Sequence, residues 1–103
     1  MKIEVYREAC CLQDDQSSNL TLYIEASDDW CIWELARAIG EARFLQFTGS
    51  HNIIDSYCAG RLLFSIPIVG SKGNVVNYAV PRNDKMSKYV TEPKINCLWP
   101  NGL

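Results

Sequence analysis

The stretch LTLYIEASDDWCIWELARAIGEARF, residues 20–44, decides the fold because its hydrophobic period changes halfway along. Up to residue 26, apolar and polar residues alternate, so one face of a predicted strand carries Leu20, Leu22, Ile24 and Ala26. From residue 28 onward, apolar residues recur at helical spacing. A strand followed at once by an amphipathic helix indicates a sheet covered by a helix.

The predicted main helix spans about residues 28–43. Ser27 is the expected N-cap, and Asp28 and Asp29 in the first turn complement the positive end of the helix dipole. At about 100° per residue, one face of this helix carries Ile32, Leu35, Ala36 and Ile39. We expect that face to pack on the sheet.

Further strand patterns lie on both sides of this stretch. Residues 2–8 alternate and are expected to form a hairpin with residues 20–26, while 61–69 and 74–80 flank the turn sequence GSKG as a second hairpin. Residues 95–99 predict one more short strand. The sequence therefore predicts a single α+β domain over 1–103, with a mostly antiparallel sheet and one main helix packed on a face.

Residues 51–59, HNIIDSYCA, fit two structures. Gly60 follows as a helix stop, and a short second helix would turn Ile53, Ile54, Tyr57 and Cys58 inward. The same residues also fit a strand, and the helix is slightly favoured. On a helix, His51 and Asp55 would lie one turn apart, with Cys58 nearby, which offers an alternative function as a small Cys/His enzyme.

Composition bounds the remaining function classes. The 103 residues are 48% hydrophobic and 21% charged, as in globular proteins, and no apolar run is long enough to span a bilayer. The five cysteines include the adjacent pair Cys10 and Cys11 but no C-x-x-C motif, so reduced thiols and a cytoplasmic location are expected. Metal-ligand spacing and a phosphate-binding glycine loop are both missing, so neither a metal nor a cofactor is expected.

Charge is distributed unevenly along the chain. Residues 1–34 carry eight acidic and two basic side chains, whereas residues 35–103 carry four acidic and eight basic ones. Such an asymmetry can steer an oppositely charged partner, although it disappears if the two signs interleave on the folded surface. Direct nucleic-acid binding is not expected, because it normally requires a much more basic domain.

Two tryptophans and an arginine lie off the apolar face of the main helix. Trp33 is about 100° and Trp30 about 160° away from Ile32, with Arg37 between them, so the three form a row at i, i+3 and i+7. Tryptophan and arginine are enriched in the energetic centres of protein interfaces. The alternative is that both rings pack within the protein itself.

These features predict a non-enzymatic binding protein. Its partner-binding surface would combine Asp14 and Asp15 of the 9–19 loop with Asp28, Asp29, Trp30, Trp33 and Arg37. Carboxylates beside aromatic rings suit a basic protein such as a nuclease toxin. In general character the chain resembles small acidic immunity proteins that neutralise such toxins. The competing class is a small enzyme that uses His51 and Cys58, and a third possibility is a self-associating structural domain with the tryptophan row as the seam of a homodimer.

Overall fold

Six strands, one α-helix and one 3-10 turn make up the described part of the chain, which a computed structural model gives for residues 1–8, 20–42, 53–67 and 76–100. In chain order these are β1 (Lys2–Arg7), β2 (Thr21–Glu25), α1 (Ile32–Glu41), β3 (Ile53–Cys58), β4 (Arg61–Pro67), β5 (Asn77–Tyr78), the 3-10 turn (Met86–Lys88) and β6 (Lys94–Leu98). They form a single α+β domain, which confirms the predicted fold class.

The six strands form one sheet in the order β2-β1-β6-β3-β4-β5. Both predicted hairpins are present: β1 pairs antiparallel with β2, and β4 pairs antiparallel with a β5 of only two residues. The exception to antiparallel pairing is at the centre, where β1 runs parallel to β6 and Val5 lies opposite Ile95. The first hairpin and the last strand therefore join directly, although they lie far apart in the sequence.

Helix α1 buries the same four residues that the sequence predicts. Ile32, Leu35, Ala36 and Ile39 are all at most 1% exposed, and α1 contacts β4. Alternate residues of β1, β3 and β6 point into this core, including Ile3, Ile54 and Ile95. One face of the sheet is thus covered, as expected when the period-2 and period-3.6 apolar faces meet.

A bulge in β4 lets two adjacent residues enter the core. Ser56 of β3 pairs with Phe64, but the next residue, Tyr57, pairs with Leu62, so Leu63 is an extra residue on β4. Because the bulge interrupts the alternation, Leu63 and Phe64 are both fully buried.

The predicted short helix over 51–59 is wrong over the part that is described, because Ile53–Cys58 is strand β3. Gly60 (φ 80°) does not stop a helix; with Ala59 (φ 50°) it forms the two-residue turn between β3 and β4. Two positive φ values in such a turn match the twist of a hairpin. Since β3 also pairs with β6 on its other side, backbone pairing on both edges decides in favour of the strand.

The main helix begins later than predicted, at Ile32 rather than near residue 28. Ser27 is not its N-cap; its hydroxyl accepts a hydrogen bond from the Asp29 amide at 3.3 Å in a turn that precedes the helix. Cys31 is the N-cap, in an extended conformation that bridges to Lys85. Long-range backbone pairing thus overrides the local capping signal, and Trp30 lies just before the helix.

Candidate functional site

The structure brings the predicted tryptophan row together around a groove of about 220 Å³. Its lining side chains, which we call the indole groove, are Trp30, Trp33, Glu34, Arg37, Ala38 and Glu41. Glu34, Ala38 and Glu41 were not among the residues predicted for the binding surface. Their spacing on α1 is the signal that identifies them, because residues three, four and seven apart share one side of a helix.

The two indoles are partly exposed, but they differ in their surroundings. Trp30 is half-buried and packs against the hydrophobic core, whereas Trp33 is half-buried on the flank of α1, outside that core. Arg37, one helical turn further on, is exposed. The apolar wall of the groove is therefore formed by rings that folding alone leaves partly in water.

A segment from the far end of the sequence holds both tryptophans in place through their backbone atoms. The Met86 amide donates to the carbonyl oxygen of Trp30 at 2.9 Å, and the Trp33 amide donates to the carbonyl oxygen of Arg82 at 3.0 Å. Because these hydrogen bonds join the backbone on both sides of the helix start, the position of the indoles depends on the 82–86 segment.

The two glutamates that line the groove, Glu34 and Glu41, each accept a hydrogen bond from a nearby residue. Oε1 of Glu34 accepts a hydrogen bond from the Cys31 amide at 3.0 Å, as in a capping box. Arg37 also lines the groove, and its Nε donates to Oε1 of Glu41 at 3.0 Å. Both of these side chains are largely exposed, so this pair contributes only about 0.3–0.5 kcal/mol to stability.

Asp28 and Asp29 are exposed and directly precede the groove. Among the described residues, no hydrogen bond or ion pair engages either carboxylate; Lys85 Nζ binds the backbone carbonyl of Asp29 instead, at 2.8 Å. They do not cap α1, since its first amides bond to backbone carbonyls such as that of Asp84. Asp14 and Asp15 lie outside the described residues.

A tyrosine–aspartate contact stabilises the segment that holds the tryptophans. The Tyr89 hydroxyl donates to Oδ2 of Asp84 at 2.6 Å, and Lys88 Nζ lies 3.4 Å from the same oxygen. The Tyr89 hydrogen bond, with the nearby Lys88 charge, holds the pKa of Asp84 below its usual value. The same hydrogen bond raises the pKa of Tyr89, since losing its proton would break it.

Replacing Tyr89 with phenylalanine is expected to raise the pKa of Asp84 towards its ordinary value, as followed by carboxyl ¹³C chemical shifts in a pH titration. Because folding lowers this pKa, the contact stabilises the protein above the usual carboxyl pKa and loses that effect as pH falls through the lowered value. The stability difference between wild type and Tyr89→Phe should therefore be larger at neutral pH than in acid. An unchanged Asp84 titration would contradict this account.

Of the three residues of the alternative Cys/His site, the structure describes Asp55 and Cys58. Asp55 and Cys58 are three residues apart on a strand and so point to opposite faces, rather than sharing the side of a helix. Asp55 accepts a hydrogen bond from the Ser65 hydroxyl at 2.5 Å, and the buried Cys58 thiol donates to the carbonyl of Glu92 at 3.6 Å. His51 lies outside the described residues.

The described cysteines, Cys31, Cys58 and Cys97, are free thiols. Burial raises the pKa of Cys97 to about 11, and its Sγ lies 3.4 Å from the Ser56 hydroxyl. Within the described ranges, no group of three or more His, Cys, Asp or Glu side chains is arranged to hold a metal ion. Cys10 and Cys11 lie outside those ranges.

We expect a thiol assay of the denatured protein, without reductant, to count five free thiols, because cysteine spacing builds neither a disulfide framework nor a zinc site. In the folded protein at pH 8, half-buried Cys31 should be alkylated well before Cys97, whose thiolate is disfavoured by burial. Fewer than five thiols, or rapid labelling of Cys97, would contradict the expectation.

No helix in the described part of the chain is long and apolar enough to cross a membrane. Comparison with models of protein families, with curated proteins and with solved structures finds no match to this chain.

Proposed function

We propose that this protein is a non-enzymatic binding protein of the immunity type, which neutralises a basic protein such as a nuclease toxin. The observation that carries the proposal is the indole groove itself. Two partly exposed tryptophans line it, and the two exposed aspartates that directly precede Trp30 have carboxylates with no hydrogen-bond or ion-pair partner among the described residues.

The aromatic part of this surface supports binding rather than folding. Burying the exposed part of an indole in a complex removes apolar area from water while few side-chain rotors are lost. Trp33 is well placed for this, since the core-facing residues of α1 are already buried without it. Its ring is therefore a candidate centre for a protein interface.

The charged part supports a basic partner. Asp28 and Asp29 directly precede the groove in the sequence. Glu34 and Glu41 line it with two negative charges, and Arg37 contributes the one positive charge of the lining. Carboxylates arranged in this way can stand in for the phosphates that a nuclease binds, and their field speeds association with a cationic protein.

The experiment uses the purified protein to capture a partner from the native host, followed by rate measurements on the identified pair. We expect a basic partner whose association slows as salt is raised. Asp28→Lys should slow association and weaken its salt dependence. Glu92→Lys is the matched control, because it makes the same charge change at an exposed site that does not line the groove.

Equal association rates for Asp28→Lys and Glu92→Lys would argue against the proposed surface. A second outcome would also contradict the proposed function. If the protein is a dimer that Trp33→Ala converts to a monomer, the tryptophans form an interface between two copies of this chain.

A further inference from the structure

The lining of the indole groove has an aromatic part, which we call the aromatic wall, and an acidic part, which we call the acidic wall. Trp30, Trp33 and the methyl group of Ala38 are apolar, while Glu34 and Glu41 carry negative charge. The face of an indole ring is the negative end of its quadrupole, so it attracts cations as carboxylates do. Both walls therefore favour the same kind of occupant, a side chain with an apolar stem and a cationic head.

We infer that the indole groove receives an arginine side chain from the basic partner, with its guanidinium stacked on the indoles and paired with Glu34 or Glu41. This inference rests on the proposed function and names the chemistry of the partner residue. A guanidinium is planar, weakly hydrated and rich in hydrogen-bond donors, so it can stack on a ring and bind a carboxylate at once, which an ammonium group does less well.

The carboxylates of the acidic wall are able to bind such a guest. The hydrogen bonds that Glu34 and Glu41 accept from Cys31 and Arg37 each use Oε1. These contacts use one oxygen of each carboxylate, and the second oxygen is able to accept a further hydrogen bond. An anionic guest fits poorly, because Arg37 is paired with Glu41 and Glu34 leaves the groove lining with one excess negative charge.

The test is a ¹⁵N–¹H NMR titration of the three indole Nε1–H signals with the blocked peptide acetyl-Gly-Arg-Gly-amide. The control peptide carries citrulline, which has the shape of arginine but no charge. We expect arginine to shift Trp30 and Trp33 with a Kd on the order of millimolar. Citrulline should bind at least about threefold more weakly, as loss of a cation–π contact implies. Trp99 is 4% exposed and serves as the internal reference.

A pair of variants tests the acidic wall. Glu34→Gln removes the negative charge but keeps an oxygen that can accept the hydrogen bond from the Cys31 amide. It should weaken binding of the arginine peptide by about threefold. Glu25 is an exposed residue of β2 that does not line the groove, so Glu25→Gln should leave binding of the arginine peptide unchanged. Equal shifts with citrulline, no shift with arginine, or equal effects of the two variants would each overturn the inference.

These outcomes are separable from failure of the proposed function. If Trp33→Ala weakens binding of the captured partner but the arginine peptide shifts neither the Trp30 nor the Trp33 indole signal, the proposed binding surface is supported and the arginine inference is wrong. If the peptide binds as expected but groove variants leave partner binding unchanged, the groove chemistry stands and the proposed function is wrong.

Discussion

Trp33→Ala is expected to weaken binding of the partner by about 2 kcal/mol or more, roughly thirtyfold in Kd, as truncation at the centre of an interface does. The same change should cost less than about 1 kcal/mol of folding stability, because Trp33 is half-buried outside the hydrophobic core. Calorimetric titration of the partner and urea unfolding of the isolated protein measure the two effects separately.

Two further tryptophan variants act as references. Trp30→Ala should lose stability as well as binding, since the Trp30 ring packs against the core. Trp99→Ala should lose about 3–5 kcal/mol of stability, as a buried aromatic does, because Trp99 is only 4% exposed. If Trp33→Ala instead unfolds as readily as Trp99→Ala and binds the partner normally, its ring is part of the architecture and the interface hypothesis is falsified.

Phe64→Ala is expected to destabilise the folded protein by about 3–5 kcal/mol, a large share of the stability of a domain of this size. Phe64 is fully buried at the bulge of β4, and its ring meets Tyr78 edge to face with centroids 6.4 Å apart. Truncation removes this contact and leaves a cavity in the hydrophobic core. Urea unfolding at neutral pH measures the loss.

Phe64→Leu is the control for volume. Leucine refills most of the space, so the loss should be clearly smaller than for alanine. Tyr78 is only half-buried, so Tyr78→Ala should also cost less. A stability of Phe64→Ala within about 1 kcal/mol of wild type would mean that the bulge does not direct Phe64 into the core.

Local pattern alone was enough for the buried face of the helix and for the two hairpins. The alternation in β1 and β2 and the helical spacing of Ile32, Leu35 and Ile39 follow from which side chains must leave water, and a short segment contains that information. The flank positions of Trp33 and Arg37 were predictable for the same reason, whereas Trp30 lies before the helix and packs against the core. Once the core face is assigned, the residues on the flank are assigned too.

For residues 53–58, the local sequence pattern does not distinguish a helix from a strand. The neighbouring apolar pairs Ile53–Ile54 and Tyr57–Cys58 fit a buried helical face as well as a strand. Backbone hydrogen bonding to β4 and β6 then selects the strand. A hydrogen bond between strands depends on where the partner strand lies in space, and that information is absent from a single segment.

The helix start and the site were likewise settled by contacts across the chain. Pairing of Cys31 with Lys85 moves the helix start past Ser27, and the 82–86 segment fixes the backbone of Trp30 and Trp33. The sequence by itself determined the fold class, the core face of α1 and the position of Trp33 on its flank, since these depend on side-chain periodicity. The tertiary structure alone decided the parallel pairing of β1 with β6, the strand at 53–58 and the joining of Trp30 to Glu34 and Glu41 in one groove. All three require residues distant in sequence, or on different elements, to meet in a geometry that only the folded chain defines.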